Sequence, residues 1–260
     1  MPDRNIFEIA SGFGRWSIIQ IESMNHWIGT SGFQYPEWKG TFYPEDMSTA
    51  KMLPFYAERF STTEVNYTFR RIPSAKTIQN WWEATPERFK FSLKAPQKVT
   101  HFAKLRDCGD TMRYFCQVIT DLEAKLGPVL FQLPGAFKKD TGVLAAFLEE
   151  LPAGLRAAFE FRHPSWFDEE VFAALNRKNI ALCIADSADL TTPVVATADY
   201  GYLRLRREDY ADADMERWAK AISDNEKLWP DAFVYLKHEE SGMGPRLARQ
   251  LMEMLGPQAV

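Results

Sequence analysis

AAFEFRHPSWF, residues 157–167, decides how the rest of this chain is read. Phe159 and Phe161 alternate with Glu160 and Arg162. That is the period of two of a strand burying aromatic rings on one face and projecting a carboxylate and a guanidinium from the other. His163 and Trp166 follow on a stretch broken by Pro164, and a helix begins near Asp168, a residue type suited to an N-cap. A strand that ends in charged residues and turns into a helix has the form of the ligand-bearing end of a β/α unit.

Outward from this stretch the same unit recurs. Strand-like runs stand at residues 27–31, 63–67, 89–94, 129–133, 156–162, 180–185, 202–206 and 233–237, eight in all. Amphipathic helical stretches stand at residues 49–60, 74–83, 110–126, 140–150, 168–178, 214–224 and 244–255. Between the sixth and seventh strands only residues 188–200 are available, and Pro193, Val194 and Val195 there predict irregular chain. The expected fold is therefore α/β, a TIM (β/α)8 barrel with its sixth helix irregular or missing. No GxGxxG turn follows any strand to argue for an open dinucleotide-binding sheet. The length of 260 residues suits one such barrel, which typically takes about 250. Residues 1–24 lack the β/α pattern and read as an N-terminal extension, leaving residues 25–260 as a single domain.

Composition narrows the function classes. Hydrophobic residues at 46% and aromatics at 14% are enough for a large core, so disorder is not expected. The charges, 31 Lys+Arg and 35 Asp+Glu, give 31 − 35 = −4, which excludes a global basic field toward nucleic acid or anionic lipid. Cys108, Cys116 and Cys183 match neither a CxxC pair nor a zinc knuckle and read as reduced thiols of a cytoplasmic protein. No apolar run is long enough to span a bilayer, so no membrane association is expected.

Strand parity then sorts the residues. One parity collects Glu64, Asn66, Lys90, Ser92, Lys94, Gln132, Glu160, Arg162, Arg204, Arg206 and Lys237. The other is mostly apolar, with Val65, Phe91, Leu93, Phe131, Phe159, Leu203 and Leu236. Polar residues inside a barrel strand are costly unless they face the lumen near its open end, so the first set is expected at the mouth and the second under the helices.

Five ordered blocks carry a family resemblance. IGTSGFQYPEWKGTFYP at residues 28–44, EVNYTFRRIP at 64–73, KFSLKAPQKVTH at 90–101, LGPVLFQLP at 126–134 and EFRHPSW at 160–166 together resemble the YecE-like family, a domain family of unknown function. The resemblance implies the same TIM barrel and brings no established reaction. It also carries a suggestion of distant similarity to endonuclease IV-like barrels and hence of DNA binding. The chain departs from the family pattern after the seventh strand, where His-Gly is replaced by Arg206 and Arg207. It departs again after the eighth, where Lys237, His238 and Glu239 replace Asn-Asn-Asp.

The chemistry expected at the mouth centres on Glu64 and Glu160, which end strands three apart. Two carboxylates about 5–9.5 Å apart can serve as acid and base, or acid and nucleophile, in glycoside hydrolysis. They can equally be the anions of an ion-pair network with Lys94, Arg162 and Arg204. His163 is a candidate acid or base, or else a turn-fixing residue; His101, farther from its strand, reads as structural. Tyr35, Trp38 and Trp166 are candidate stacking surfaces, and Asn66, Lys94, Gln132, Arg162 and Arg204 candidate ligand contacts. His101, His163, His238, Glu64, Glu160 and Asp186 show no metal-ligand spacing, and the neighbouring cations would repel a divalent ion, so neither metal nor other cofactor is expected. The leading expectation is a metal-independent hydrolase of a phosphorylated, glycosidic or nucleotide-like compound, its partner a polar or anionic small molecule. The alternative is a non-catalytic nucleic-acid-binding barrel.

Overall fold

A computed structural model describes residues 24–237 and 242–256. The N-terminal extension, apart from Met24, and the pair His238 and Glu239 lie outside the described residues. The strands are β1 (Asn25–Ser31), β2 (Thr62–Val65), β3 (Lys90–Lys94), β4 (Leu126–Gln132), β5 (Ala157–Glu160), β6 (Ala181–Asp186), β7 (Tyr200–Leu205) and β8 (Asp231–Leu236). Every neighbouring pair is parallel, and the sheet closes on itself where β1 pairs with β8, from Asn25 opposite Asp231 to Thr30 opposite Leu236. With a helix after most strands this is the expected TIM barrel.

The helices are α1 (Thr49–Ala57), α2 (Tyr67–Arg70), α3 (Ala75–Glu83), α4 (Gly109–Ile119), α5 (Thr141–Glu150), α6 (Glu169–Arg177), α7 (Asp212–Ser223) and α8 (Met243–Leu255). Ser74, Asp140 and Asp168 cap α3, α5 and α6 by accepting from backbone N–H groups of the first turn. Two strands, β2 and β5, stop two residues short of their sequence-read ends. β2 ends at Val65 because the hydroxyl of Thr68 donates to the carbonyls of Lys94 (2.6 Å) and Val65 (3.2 Å), bending the chain at once into α2. β5 ends at Glu160, leaving Arg162 just beyond the sheet.

No helix joins β6 to β7. Side chains pin the connection instead: Thr197 Oγ1 donates to the Ile180 carbonyl and accepts from the Leu182 N–H, both at 2.7 Å. Asp186 accepts from Thr191 Oγ1 (2.9 Å), the Tyr210 hydroxyl (3.0 Å) and Trp218 Nε1 (3.1 Å).

The core has two compartments. Between strands and helices lies a layer rich in stacked rings, such as Phe131 against Phe159 and Phe161 against Trp166. Each such side chain contributes about 1.5–3 kcal/mol by leaving water. Inside the barrel, Trp27, Leu130, Ala158, Cys183, Tyr202, Phe233 and Tyr235 pack against one another. The Tyr235 hydroxyl is hydrogen-bonded to Thr62 (2.8 Å) and Ser92 (2.7 Å). Parity therefore assigned direction correctly but not height: Lys90, expected at the mouth, donates to the Ala124 carbonyl and lies beside Trp27 at the opposite end, where Asp231 accepts from Asn25, Trp27 and Arg156 below this apolar fill. Cys108, Cys116 and Cys183 are buried and free; burial pushes the thiols of Cys108 and Cys116 up to about 11, so neither is a thiolate nucleophile. Among the described residues no helix is long and apolar enough to cross a membrane.

Candidate functional site

The C-terminal ends of the strands bring Glu64, Glu160 and Arg204 together, with exposures of 0%, 1% and 2%. Arg204, on β7, reaches across the lumen between the two carboxylates. Its Nη2 donates to Glu64 Oε1 at 2.8 Å and its Nε to the same oxygen at 3.2 Å, while its Nη1 donates to Glu160 Oε2. Glu64 also accepts from the hydroxyls of Ser31 and Tyr202, the latter at 2.7 Å. Asn66 donates to Ser31 at 2.9 Å and supports that side.

Glu160 is the hub of the opposite side. Its Oε1 accepts from Gln132 Nε2 (2.8 Å) and Arg162 Nε (2.9 Å), with Arg206 Nη1 at 3.6 Å. Gln132 in turn accepts from Lys94 Nζ at 2.8 Å. The side chains of Arg162 and Arg206 are 37% and 23% exposed, so both lie at the boundary between network and solvent. The Nε of Arg206 is buried without a partner among the described residues.

Burial alone would raise both carboxyls, but the charges beside them prevail. Arg204 leads in lowering Glu64; Arg204, then Arg162 and Arg206, hold Glu160 far below the usual carboxylate range. Lys94 shifts the other way for its class: burial first, then the Arg204 charge, bring its ammonium down to about 8, although Glu64 and Glu160 pull back. Four cations, Lys94, Arg162, Arg204 and Arg206, thus surround two carboxylates, and 4 − 2 leaves an excess of two positive charges.

Other sequence-read candidates stand apart from this network. His163 Nδ1 accepts from the Ser165 N–H at 3.2 Å and pairs with the Ser165 hydroxyl at 2.8 Å, which caps the turn at Pro164–Trp166. Trp38 and Trp166, expected as stacking surfaces, are both 0% exposed. Trp38 packs among Tyr35, Phe42 and Tyr43, and Trp166 lies on Phe161 and donates to the Phe137 carbonyl. Long aromatic loops bury themselves on the barrel top when their rings can pack together. Tyr35 is half-buried, and its hydroxyl donates to the Ser31 carbonyl at 2.7 Å. In the turns that directly follow β2 and β3, Tyr67 (47%) and Phe102 (73%) are exposed. Among the described residues no three His, Cys, Asp or Glu side chains gather as a metal-binding group; His238 lies outside those residues.

Sequence reasoning overlooked Ser31, Tyr202 and Phe69. Tyr202 shares parity with Arg204, two residues earlier, and that signal was available. Phe69 had none: it reaches the site through the turn of α2, where its ring lies 4.1 Å from Lys94 Nζ and 4.9 Å from the His101 ring.

Comparison with known proteins agrees with this architecture. The chain is similar to UPF0759 protein YecE of Escherichia coli K12, 28% identical over 167 residues, which are 62% of this chain and 59% of YecE. UPF0759 protein YunF of Bacillus subtilis 168 is 23% identical over 257 residues, covering 83% of this chain and 90% of YunF. Among solved structures, a DUF72 family protein from Thermotoga maritima MSB8 superposes with a TM-score of 0.77 at 26% identity, covering 89% of this chain and 99% of that one. One from Enterococcus faecalis V583 gives a TM-score of 0.73 at 17% identity, over 90% and 99%. The family described as "Protein of unknown function DUF72" matches residues 27–260, and the chain belongs to it.

Proposed function

We propose that the barrel mouth binds a small, doubly anionic, phosphorylated compound. The observation that carries this reading is the excess of cations: Lys94, Arg162, Arg204 and Arg206 are gathered around only two carboxylates. Partly buried like charges repel unless an anion joins them, and a phosphate monoester brings about two negative charges and several acceptors. Glu64 and Glu160 then act as counter-ions that orient Arg204, Arg162 and Arg206. Hydrolysis by the two glutamates as acid and base is the weaker form of the reading. A general acid must hold its proton near neutral pH, whereas both carboxyls are lowered, and Arg204 occupies the space between them.

The test is calorimetric titration with glucose 6-phosphate and with glucose. The phosphorylated sugar is expected to bind and glucose not to, with Arg206→Ala and Arg162→Ala each weakening binding about 10-fold or more. Equal binding of the two sugars, or none of either, overturns the proposal. A second reading, nucleic-acid binding across the rim, is favoured by exposed Tyr67 and Phe102 beside exposed Arg70, Arg71 and Lys98. It calls for affinity toward single-stranded oligonucleotides that falls linearly in log salt.

A further inference from the structure

We infer that Lys94 is a nucleophilic amine that forms an imine with a carbonyl compound carrying the phosphate, such as an open-chain phosphorylated sugar. The inference rests on the anion-site reading and names the substrate class of that site. Lys94 ends β3 on the inward face, half-buried, with its Nζ donating to Gln132 Oε1 at 2.8 Å and lying 4.1 Å from the Phe69 ring centroid. Among the described residues no carboxylate pairs with it directly, because Gln132 stands between its Nζ and Glu160. The groups acting on it are Arg204 from β7, Arg162 beyond β5, Glu64 from β2 and Glu160 from β5. His101, whose ring lies against Phe69, feels the Lys94 charge in turn. Burial and the like charges of Arg204 and Arg162 favour the neutral, reactive amine, against the pull of the Phe69 ring face on the ammonium. The amine titrates at about 8, so a useful fraction is neutral near physiological pH.

The step balances without an oxidant or reductant. The Nζ lone pair adds to the carbonyl carbon, and one amine proton passes to the former carbonyl oxygen, giving a carbinolamine. The C–O bond then breaks and, with one proton taken up, the oxygen leaves as water while the C=N bond forms. Amine, carbonyl and one proton thus become a protonated imine and water. Arg162 and Arg206 lie close enough to share Glu160 with this network, so the phosphate of the same molecule can rest on them while its carbonyl meets Lys94.

Pyridoxal 5′-phosphate tests this as an aldehyde carrying a phosphate, with pyridoxal as the probe that lacks it. Each is incubated with the full chain, reduced with borohydride to fix any imine as a secondary amine, and mapped by peptide mass spectrometry. The expected result is an adduct on Lys94 at least about 10-fold more abundant with the phosphorylated probe, absent in Lys94→Arg, and half-maximal in rate near pH 8. An equal Lys94 adduct with both probes supports the nucleophile and overturns the anion site. Labelling spread over Lys98 and Lys104 and unchanged in Lys94→Arg, or no adduct at all, overturns the nucleophile. Titration with inorganic phosphate then reports separately whether the anion site stands. The Arg variant keeps the charge, and its unchanged thermal midpoint excludes misfolding as the cause of a lost adduct.

Discussion

Arg204 is the residue on which the mouth depends, since one guanidinium serves two carboxylates that are themselves wholly buried. Removing one partner of a buried ion pair leaves an uncompensated charge and costs about 3–5 kcal/mol. The sign of the pH dependence follows from the shifts. In the intact protein both carboxyls are lowered from 4.5, so their stabilisation is present above that value and is lost as pH falls through the folded-state value. In Arg204→Met, burial acts on Glu64 without its main cation and raises it, so stability is lost as pH rises. Urea unfolding at about pH 5 and about pH 8 is expected to show the intact protein gaining at the higher pH, because burial lowers His26 and His101 from 6.5, and the variant losing stability relative to it there. Equal losses at both would mean that Arg204 is not the counter-ion of Glu64. Much of this residue layer was legible in the sequence, because alternation placed Glu64, Glu160 and Arg204 on one parity. That a single side chain bridges both acids was not, since it depends on how far around the barrel each strand stands and at what height.

Among the elements, the strands and seven of the helices follow from apolar periodicity and caps, and the absent sixth helix follows from the proline-containing stretch at residues 188–200. What periodicity missed is held by hydrogen bonds between distant residues. The turn into α2 depends on Thr68 reaching the Lys94 carbonyl, and the wide turn at Lys98–Phe102 is likewise short and without a repeating apolar face. The β6–β7 connection is the clearest case, because Asp186 at the end of β6 holds it through Thr191 while also accepting from Tyr210 beyond β7 and Trp218 on α7. Asp186→Ala leaves Trp218 Nε1 buried without that acceptor, a loss of about 1–3 kcal/mol for each donor stranded. Chemical denaturation should show a shift of that size, with Asp186→Asn losing less because its amide oxygen still accepts. Thermolysin should also cut within residues 187–196 faster in the alanine variant than in the intact protein. An unchanged cleavage rate would show that the connection is held without Asp186, by Thr197 and by packing.

At the scale of the whole molecule, the buried charges are tolerated because the sheet is closed and its lower lumen is filled, so the mouth ions sit on a rigid floor. Closure leaves no free edge, and the first and last strands meet along six paired positions, which ties the two ends of the barrel into one cooperative structure. Gly29 lies where β1 runs against β2, and a Cβ there would stand 2.1 Å from the Thr62 carbonyl oxygen and 2.8 Å from the Tyr56 hydroxyl. Neither can yield cheaply: the first is backbone, and the second is hydrogen-bonded to Thr30 and Thr62. Gly154 is the counter-example, with φ +80 but nothing within 4 Å of an added Cβ. Gly154→Ala incurs only conformational strain, about 1–2 kcal/mol. Gly29→Ala must push β1 away from β2 in a closed barrel, at a cost of about 3 kcal/mol or more. In a protein of this size each kcal/mol moves the thermal midpoint by about 2–4 °C, so calorimetry should separate the variants by several degrees, with Gly29→Ala the lower. Equal midpoints would mean that the barrel relaxes around β1, and that the floor beneath Glu64 is softer than its packing implies.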